Sequence, residues 1–205
     1  MRVKKVIIVF TRYPKPGQVK TRLIPELGPE RATILHQRMT QHVVACAREA
    51  ALTTQASLQV HFHGGSRKKM MEWLGTGITY YPQKGRDLGE RMREAFRRAL
   101  RHGAHRVVLV GSDLPGLTRE ILDQAFQALE NCQVVLGPTL DGGYYLIGLK
   151  EDSPELFSGI PWGSKDVMKS TLERVAKLGL NVKLLEMLED VDRPQDLPLA
   201  ACFLP

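Results

Sequence analysis

A chain of 205 residues, 43% hydrophobic and 25% charged, is long enough to bury a core, and its composition excludes a disordered, fibrous or collagen-like polymer. The formal charge of +7 points to an anionic partner, but Lys and Arg are spread over several segments with few aromatics among them, which argues against a nucleic-acid platform. No run approaches the roughly 18 apolar residues of a spanning helix, so no stable membrane insertion is expected.

The chain reads in order as alternating strands and helices. Lys5–Phe10 is an apolar strand, too short for a signal peptide, and enters a loop, Thr11–Gly28, that carries Arg12, Lys15, Lys20 and Arg22 between prolines and glycines. A helix starts near Pro29, and Ala32, Leu35, Met39, Val43, Cys46 and Ala50 form its apolar stripe. Leu58–Phe62 alternates as a strand up to Gly64-Gly65, a short helix spans Ser66–Leu74, and Ile78–Tyr81 is a third strand. A second polar loop, Gln83–Gly89, brings Lys84 and Arg86. The helix after it is expected to bury Leu88, Met92, Ala95, Phe96 and Ala99 and to end at Gly103.

Val107–Val110 is a continuous apolar run of the kind a parallel sheet buries on both faces. It stops at Gly111, so Asp113 sits just past its carboxyl end, before Pro115-Gly116 and a helix N-capped by Thr118. A helix carrying Ile121, Leu122, Ala125, Phe126 and Leu129 follows, then a strand at Val134–Gly137, the turn Pro138–Gly143 and a strand at Tyr144–Leu149. Asp152–Gly163 is irregular, Ser164 caps a helix running to Leu178, Asn181–Leu185 is a last strand, and Asp190–Pro194 opens a short final helix. The pattern specifies one domain over 1–205, a three-layer α/β/α sandwich around a mixed, mostly parallel Rossmann-like sheet, since the Asp141-Gly142-Gly143 connection is short enough for an antiparallel return.

In such sheets the loops after the strands gather at one rim, where ligands bind. That rim collects Arg12, Lys15, Lys20, Arg22, Lys84 and Arg86 beside Asp113, Asp141, Asp190 and Asp192. Cations beside carboxylates suit phosphates plus a divalent metal. Each signal has a plainer reading: Asp113 and Asp141 as turn formers, Asp192 as a helix cap, the basic loop as a solvated surface. Neither a dinucleotide fingerprint nor a P-loop is present, and no G-x-S-x-G elbow accompanies Ser112. His61 and His63 have no third ligand at metal-like spacing. The distant cysteines Cys46, Cys132 and Cys202 form no C-x-x-C pair, which fits the cytoplasm.

Phe10-Thr11-Arg12-Tyr13-Pro14-Lys15-Pro16-Gly17, Val19–Leu23, Gly111–Leu117, Gly137-Pro138 with Asp141–Leu146, Ile160-Pro161-Trp162 and Asp190-Val191-Asp192 appear in one order along nearly the whole chain. With them the chain resembles the uncharacterised bacterial glycosyltransferase-like family of the nucleotide-diphospho-sugar transferase superfamily and, more distantly, guanylyltransferases. The resemblance implies a glycosyltransferase A fold. It implies a nucleotide on the amino-terminal half, at Thr11, Arg12, Lys15, Gly17, Lys20, Arg22, Arg86 and Ser112. It also implies Mg²⁺ or Mn²⁺ on Asp113, with Asp192 as a second ligand, although Arg193 stands where the family usually has Thr.

The leading expectation is a metal-dependent glycosyltransferase that takes a nucleotide-sugar. Asp113 would hold the metal, Lys20 and Arg22 would offset charge on the leaving group, and Asp141 would orient or deprotonate a small-molecule acceptor near Gly142, Gly143 and Trp162. The alternative is a nucleotidyltransferase that uses a nucleoside triphosphate and a phosphorylated acceptor and releases pyrophosphate. A third is a nucleotide-binding module without turnover, against which the rim carboxylates count.

Overall fold

A computed structural model describes residues 4–205. Seven strands, β1 (Lys5–Arg12), β2 (Ala56–His63), β3 (Thr79–Pro82), β4 (Arg106–Val110), β5 (Val134–Pro138), β6 (Tyr144–Leu149) and β7 (Val182–Leu184), form one sheet in the order β3-β2-β1-β4-β6-β5-β7. All neighbours are parallel except β6, which runs antiparallel to both β4 and β5. The mixed sheet expected from the short Asp-Gly-Gly connection is therefore present. Because β6 is reversed, its amino-terminal Tyr144 lies at the same edge as the carboxyl ends of β4 and β5, with Val110 opposite Leu146.

The alternation of side chains along each strand divides the core in two. Ile7, Val9, Val108 and Val110 pack under α1 (Ile24–Thr54), α2 (Arg67–Leu74) and α4 (Arg119–Asn131), whose Val43, Val44, Ala47, Met70, Leu122 and Phe126 complete that layer. Val6, Ile8, Val107 and Leu109 pack under α3 (Leu88–Arg101) and α5 (Val167–Lys177), through Met92, Phe96 and Val175. A third cluster joins Leu23, Leu35 and Met39 to Val191 and Ala200, so the carboxyl-terminal segment is pinned to the start of α1. That contact brings the Asp190–Asp192 stretch back to the first loop. No helix among the described residues is long and apolar enough to cross a membrane.

Several boundaries differ from expectation. β1 continues through Thr11 and Arg12, because β2 still pairs with it at Phe62 and His63. α1 has a first turn at Ile24 before Gly28, whose φ of 74° breaks it, and Pro29 resumes the helix. Leu88 is 46% exposed instead of buried: it is the first residue of α3, after the Asp87 cap, and faces a cavity mouth. Thr118 occupies the N-cap position of α4 without a side-chain capping bond. Ser164 does not cap α5, which starts at Val167; its hydroxyl accepts from the Asp166 N–H at 3.2 Å in a preceding turn. The final helix is a 3₁₀ segment, Pro194–Phe203.

Candidate functional site

A cavity of about 270 Å³ opens at the carboxyl end of β4. Phe10, Leu88, Met92, Tyr145 and Trp162 supply its apolar walls, and Ser112, Asp113, Asp141, Gly143 and Asp190 its polar ones. An apolar cleft with a few convergent polar groups at a strand-end crevice is the general form of a small-molecule site. Trp162 is fixed edge-on against Tyr144, and it lies so close over Gly89 that a Cβ there would meet its indole nitrogen at 2.3 Å.

Asp113 is held from beneath. The ammonium of Lys20, whose side chain is 3% exposed, lies 2.8 Å from Asp113 Oδ2 and also donates to the Val191 carbonyl. Lys20 takes the left-handed conformation, φ 48°, that turns the first loop inward. His36 Nδ1 stands 3.6 Å from Asp113 Oδ1, and His36 Nε2 donates to the Arg12 carbonyl at 3.0 Å. Asp113 Oδ1 is buried and has no hydrogen bond, while the side chain as a whole is 39% exposed toward the cavity. Burial raises the cost of ionising Asp113, and the charge of Lys20 together with His36 outweighs it, so the carboxyl is held well below its usual range.

Asp190, in the same cavity, is the opposite case. Burial, then the neighbouring charge of Asp141, push its carboxyl up to about 6 against the opposing pull of Lys20. Asp141 is tied into its own turn: Oδ1 accepts from Thr139 Oγ1 at 2.6 Å and from the Gly143 N–H at 3.0 Å. Gly142 has φ 88°, and a Cβ there would lie 2.1 Å from the Lys165 carbonyl, so only glycine fits the turn.

The remaining expected residues separate into three groups. Ser112, Asp141, Gly143 and Trp162 line the cavity with Asp113. Arg22 and Asp192 pair with each other in an adjoining exposed cleft that also reaches Asp141 and Asp190, so the carboxylates that share the cavity with Asp113 are Asp141 and Asp190 and not Asp192. The helix cap belongs to Asp196, whose Oδ2 accepts from the N–H groups of Asp192 and Arg193 at 3.0 and 2.8 Å. The others do not reach the cavity. Thr11 is buried with its hydroxyl 3.3 Å from that of Thr40, because it lies within β1. Arg12 and Lys15 line a separate small cleft beside Tyr13 and Gly65, and Gly17 is an exposed turn glycine. Arg86 is 90% exposed and bound to Glu90, one helical turn on. Lys20 faces Asp113 and not the open cavity.

His36 was not among the expected residues. Its sequence mark is a histidine four residues after Ala32 and three before Met39, on the buried face of α1, where an imidazole needs a polar partner. Mg²⁺ or Mn²⁺ fits the donor chemistry, since Asp113 and Asp190 offer hard carboxylate oxygens and Asp113 Oδ1 is unbonded. Among the described residues no group of three His, Cys, Asp or Glu side chains is disposed to hold a metal. The ion would therefore draw most of its ligands from phosphate oxygens and water, as Mg²⁺ does.

Comparison with known proteins gives relatives in sequence and solved structures with this fold. The chain is 26% identical to the phosphoenolpyruvate guanylyltransferase of Chloroflexus aggregans over 168 residues, 81% of each chain. A crystal structure from Desulfovibrio desulfuricans G20, for which nucleotide-diphospho-sugar transferase is the proposed name, is 36% identical, with a TM-score of 0.85 over 94% of this chain and 84% of that one. The manganese complex of Rv0371c from Mycobacterium tuberculosis H37Rv shares the fold, at 16% identity and a TM-score of 0.57 over 96% and 97% of the two chains. Residues 46–164 match the model of the family described as "Uncharacterized protein conserved in bacteria (DUF2064)", more than half of the sequence, and the chain belongs to that family, with the fold of the nucleotide-diphospho-sugar transferases.

Proposed function

We propose that the protein is a nucleotidyltransferase that moves a nucleoside monophosphate from a nucleoside triphosphate to a small phosphorylated acceptor. The observation that carries this reading is Asp113, kept ionised by Lys20 and His36 at the head of a cavity that also holds Asp190. The name of the Chloroflexus relatives supports a guanine nucleotide and an acceptor of the phosphoenolpyruvate class. An oxygen of the acceptor phosphate attacks the α-phosphorus, the bond from that phosphorus to the bridging oxygen breaks, and pyrophosphate leaves. No proton need be removed from an ionised phosphate, so Asp141 has no deprotonation to perform and serves to shape the turn at the acceptor end.

Asp113 and Asp190 would hold Mg²⁺ or Mn²⁺, which supplies charge neutralisation for the phosphates when bound. Lys20 positions Asp113, and Arg22, exposed at the adjoining cleft, would meet the outer phosphates. Trp162 and Leu88 at the mouth exclude water from the reacting groups. Sugar transfer remains the second reading, favoured by the proposed name of the Desulfovibrio protein. The test is pyrophosphate release from GTP with Mg²⁺ or Mn²⁺ and phosphoenolpyruvate. Acceptor-dependent pyrophosphate is expected; nucleoside diphosphate released from a nucleotide-sugar, with no pyrophosphate from any triphosphate, would replace this reading with the second.

A further inference from the structure

On the α3 side of the sheet, under β2 and β3, lies a second cavity of about 190 Å³ that shares no lining residue with the Asp113 cavity. Lys84, Arg91 and Arg98 line it against a single carboxylate, Glu94, which is already paired with Arg97. Arg98 is the unusual member. Its guanidinium stacks on the Tyr81 ring, 3.9 Å from the centroid, and makes no hydrogen bond among the described residues; its Nε is fully buried and without a partner. A buried N–H donor left unpaired is costly, and native proteins seldom keep one without a use. Lys84 makes no hydrogen bond or ion pair within the described chain, and Arg91 uses only Nε, on the Gly85 carbonyl at 3.1 Å.

The fourth wall is His61, 3% exposed, whose Nε2 stands 3.0 Å from Gln59 Oε1 and donates to it. Burial, then the charge of Arg98, push its imidazole down to about 3, so the ring is neutral and its Nδ1 is an acceptor. The cavity thus presents guanidinium and ammonium donors together with two acceptors, the His61 imidazole and the Glu94 carboxylate that Arg97 already holds.

We propose that this cavity is an anion site for a phosphoryl group, with Arg98 as its central ligand and Lys84 and Arg91 at its mouth. Guanidinium forks match phosphate oxygens in pairs, and a phosphate that carries one proton can also donate to His61 Nδ1. Rigidity comes from the Tyr81 stack and from the Gln83 amide, which ties the loop to the carbonyls of Thr11 and His61 at 3.3 and 3.0 Å. The site is separate from the proposed transfer chemistry, and it does not depend on which transfer the protein performs.

The experiment titrates inorganic phosphate into the full chain, followed by calorimetry and by the side-chain N–H resonance of Arg98. Saturable binding that shifts this resonance is expected, about tenfold weaker in Arg98→Met and a few-fold weaker in Lys84→Gln, with Asp113→Asn unchanged. The exposed Lys84 keeps the test valid where Arg98→Met fails to fold. Titration with GTP in the Asp113→Asn protein separates the sources: a shift by phosphate alone means a free anion, a shift only by GTP means the phosphate of a bound nucleotide. No phosphate- or GTP-induced shift of Arg98, or binding untouched by both substitutions in the cavity, overturns the proposal. Loss of phosphate binding in Asp113→Asn does so as well, because it would place the anion in the other cavity.

Discussion

Of the three carboxylates that line one cavity, Asp113 and Asp190 are treated in opposite ways. Asp113, at the end of β4, has its counter-charge built in from the first loop and α1; Asp190, on the returning carboxyl-terminal segment, has another carboxylate, Asp141, for a neighbour and is pushed up to about 6. The difference shows which charge the fold satisfies by itself and which it leaves uncompensated. A divalent cation with its phosphates would relieve the Asp190 side, whereas Asp113 is ionised before anything binds.

Breaking the Asp113 side should have the largest effect. Asp113→Ala leaves the buried Lys20 ammonium without its partner, which costs about 3 kcal/mol or more. Urea denaturation should show that loss, and transfer activity should fall below detection. Combining Asp113→Leu with Lys20→Met should restore most of the stability and none of the activity; a double variant as unstable as the single one would mean that the pair is not what holds the loop. In the folded protein the carboxyl lies below its unfolded value of 3.8, so the stabilisation is present above about pH 4 and is lost as the pH falls below it.

Asp190→Asn should do the reverse. A carboxyl at about 6 in the folded state and 3.8 in the unfolded state binds its proton more tightly when folded, so stability declines as pH rises from about 4 to 6. Removing the charge should therefore stabilise the protein above pH 6, by on the order of 2 kcal/mol, and have little effect below pH 4. Thermal melts across pH 4–8 check this, and equal shifts at both ends of the range would remove the contrast between the two carboxylates. His36→Leu loses the bond to the Arg12 carbonyl, about 1 kcal/mol, and should move the Asp113 titration upward when it is followed by carboxyl NMR. Arg22→Ala should change stability least, by no more than about 0.5 kcal/mol, because the Arg22–Asp192 pair is exposed. If Arg22 meets the outer phosphates, the same variant raises KM for the nucleotide several-fold; an unchanged KM would remove Arg22 from the proposed site.

Much of the fold was legible in local pattern. The apolar run Val107–Val110, the stripe from Ala32 to Ala50 and the Asp-Gly-Gly return each became the expected element, since side-chain periodicity follows from backbone geometry within one element. Exceptions were local as well. Leu88 carries an apolar side chain in the right phase and still faces a cavity mouth, and Ser164 looks like a cap but serves the turn before the helix. The candidate site was legible only as a set of polar loops at one rim.

The sequence by itself determined that carboxylates and cations would follow the strands, because parallel crossovers deliver the loop after each strand to the same edge. Only the tertiary structure decided how they would pair. Lys20 lies 171 positions from the Val191 carbonyl it reaches, Asp190 replaces Asp192 in the cavity, and Arg86 is spent on Glu90. Such pairings depend on where the carboxyl-terminal segment packs against α1 and on a few ångströms of burial, and Coulomb energies at those distances change several-fold with each.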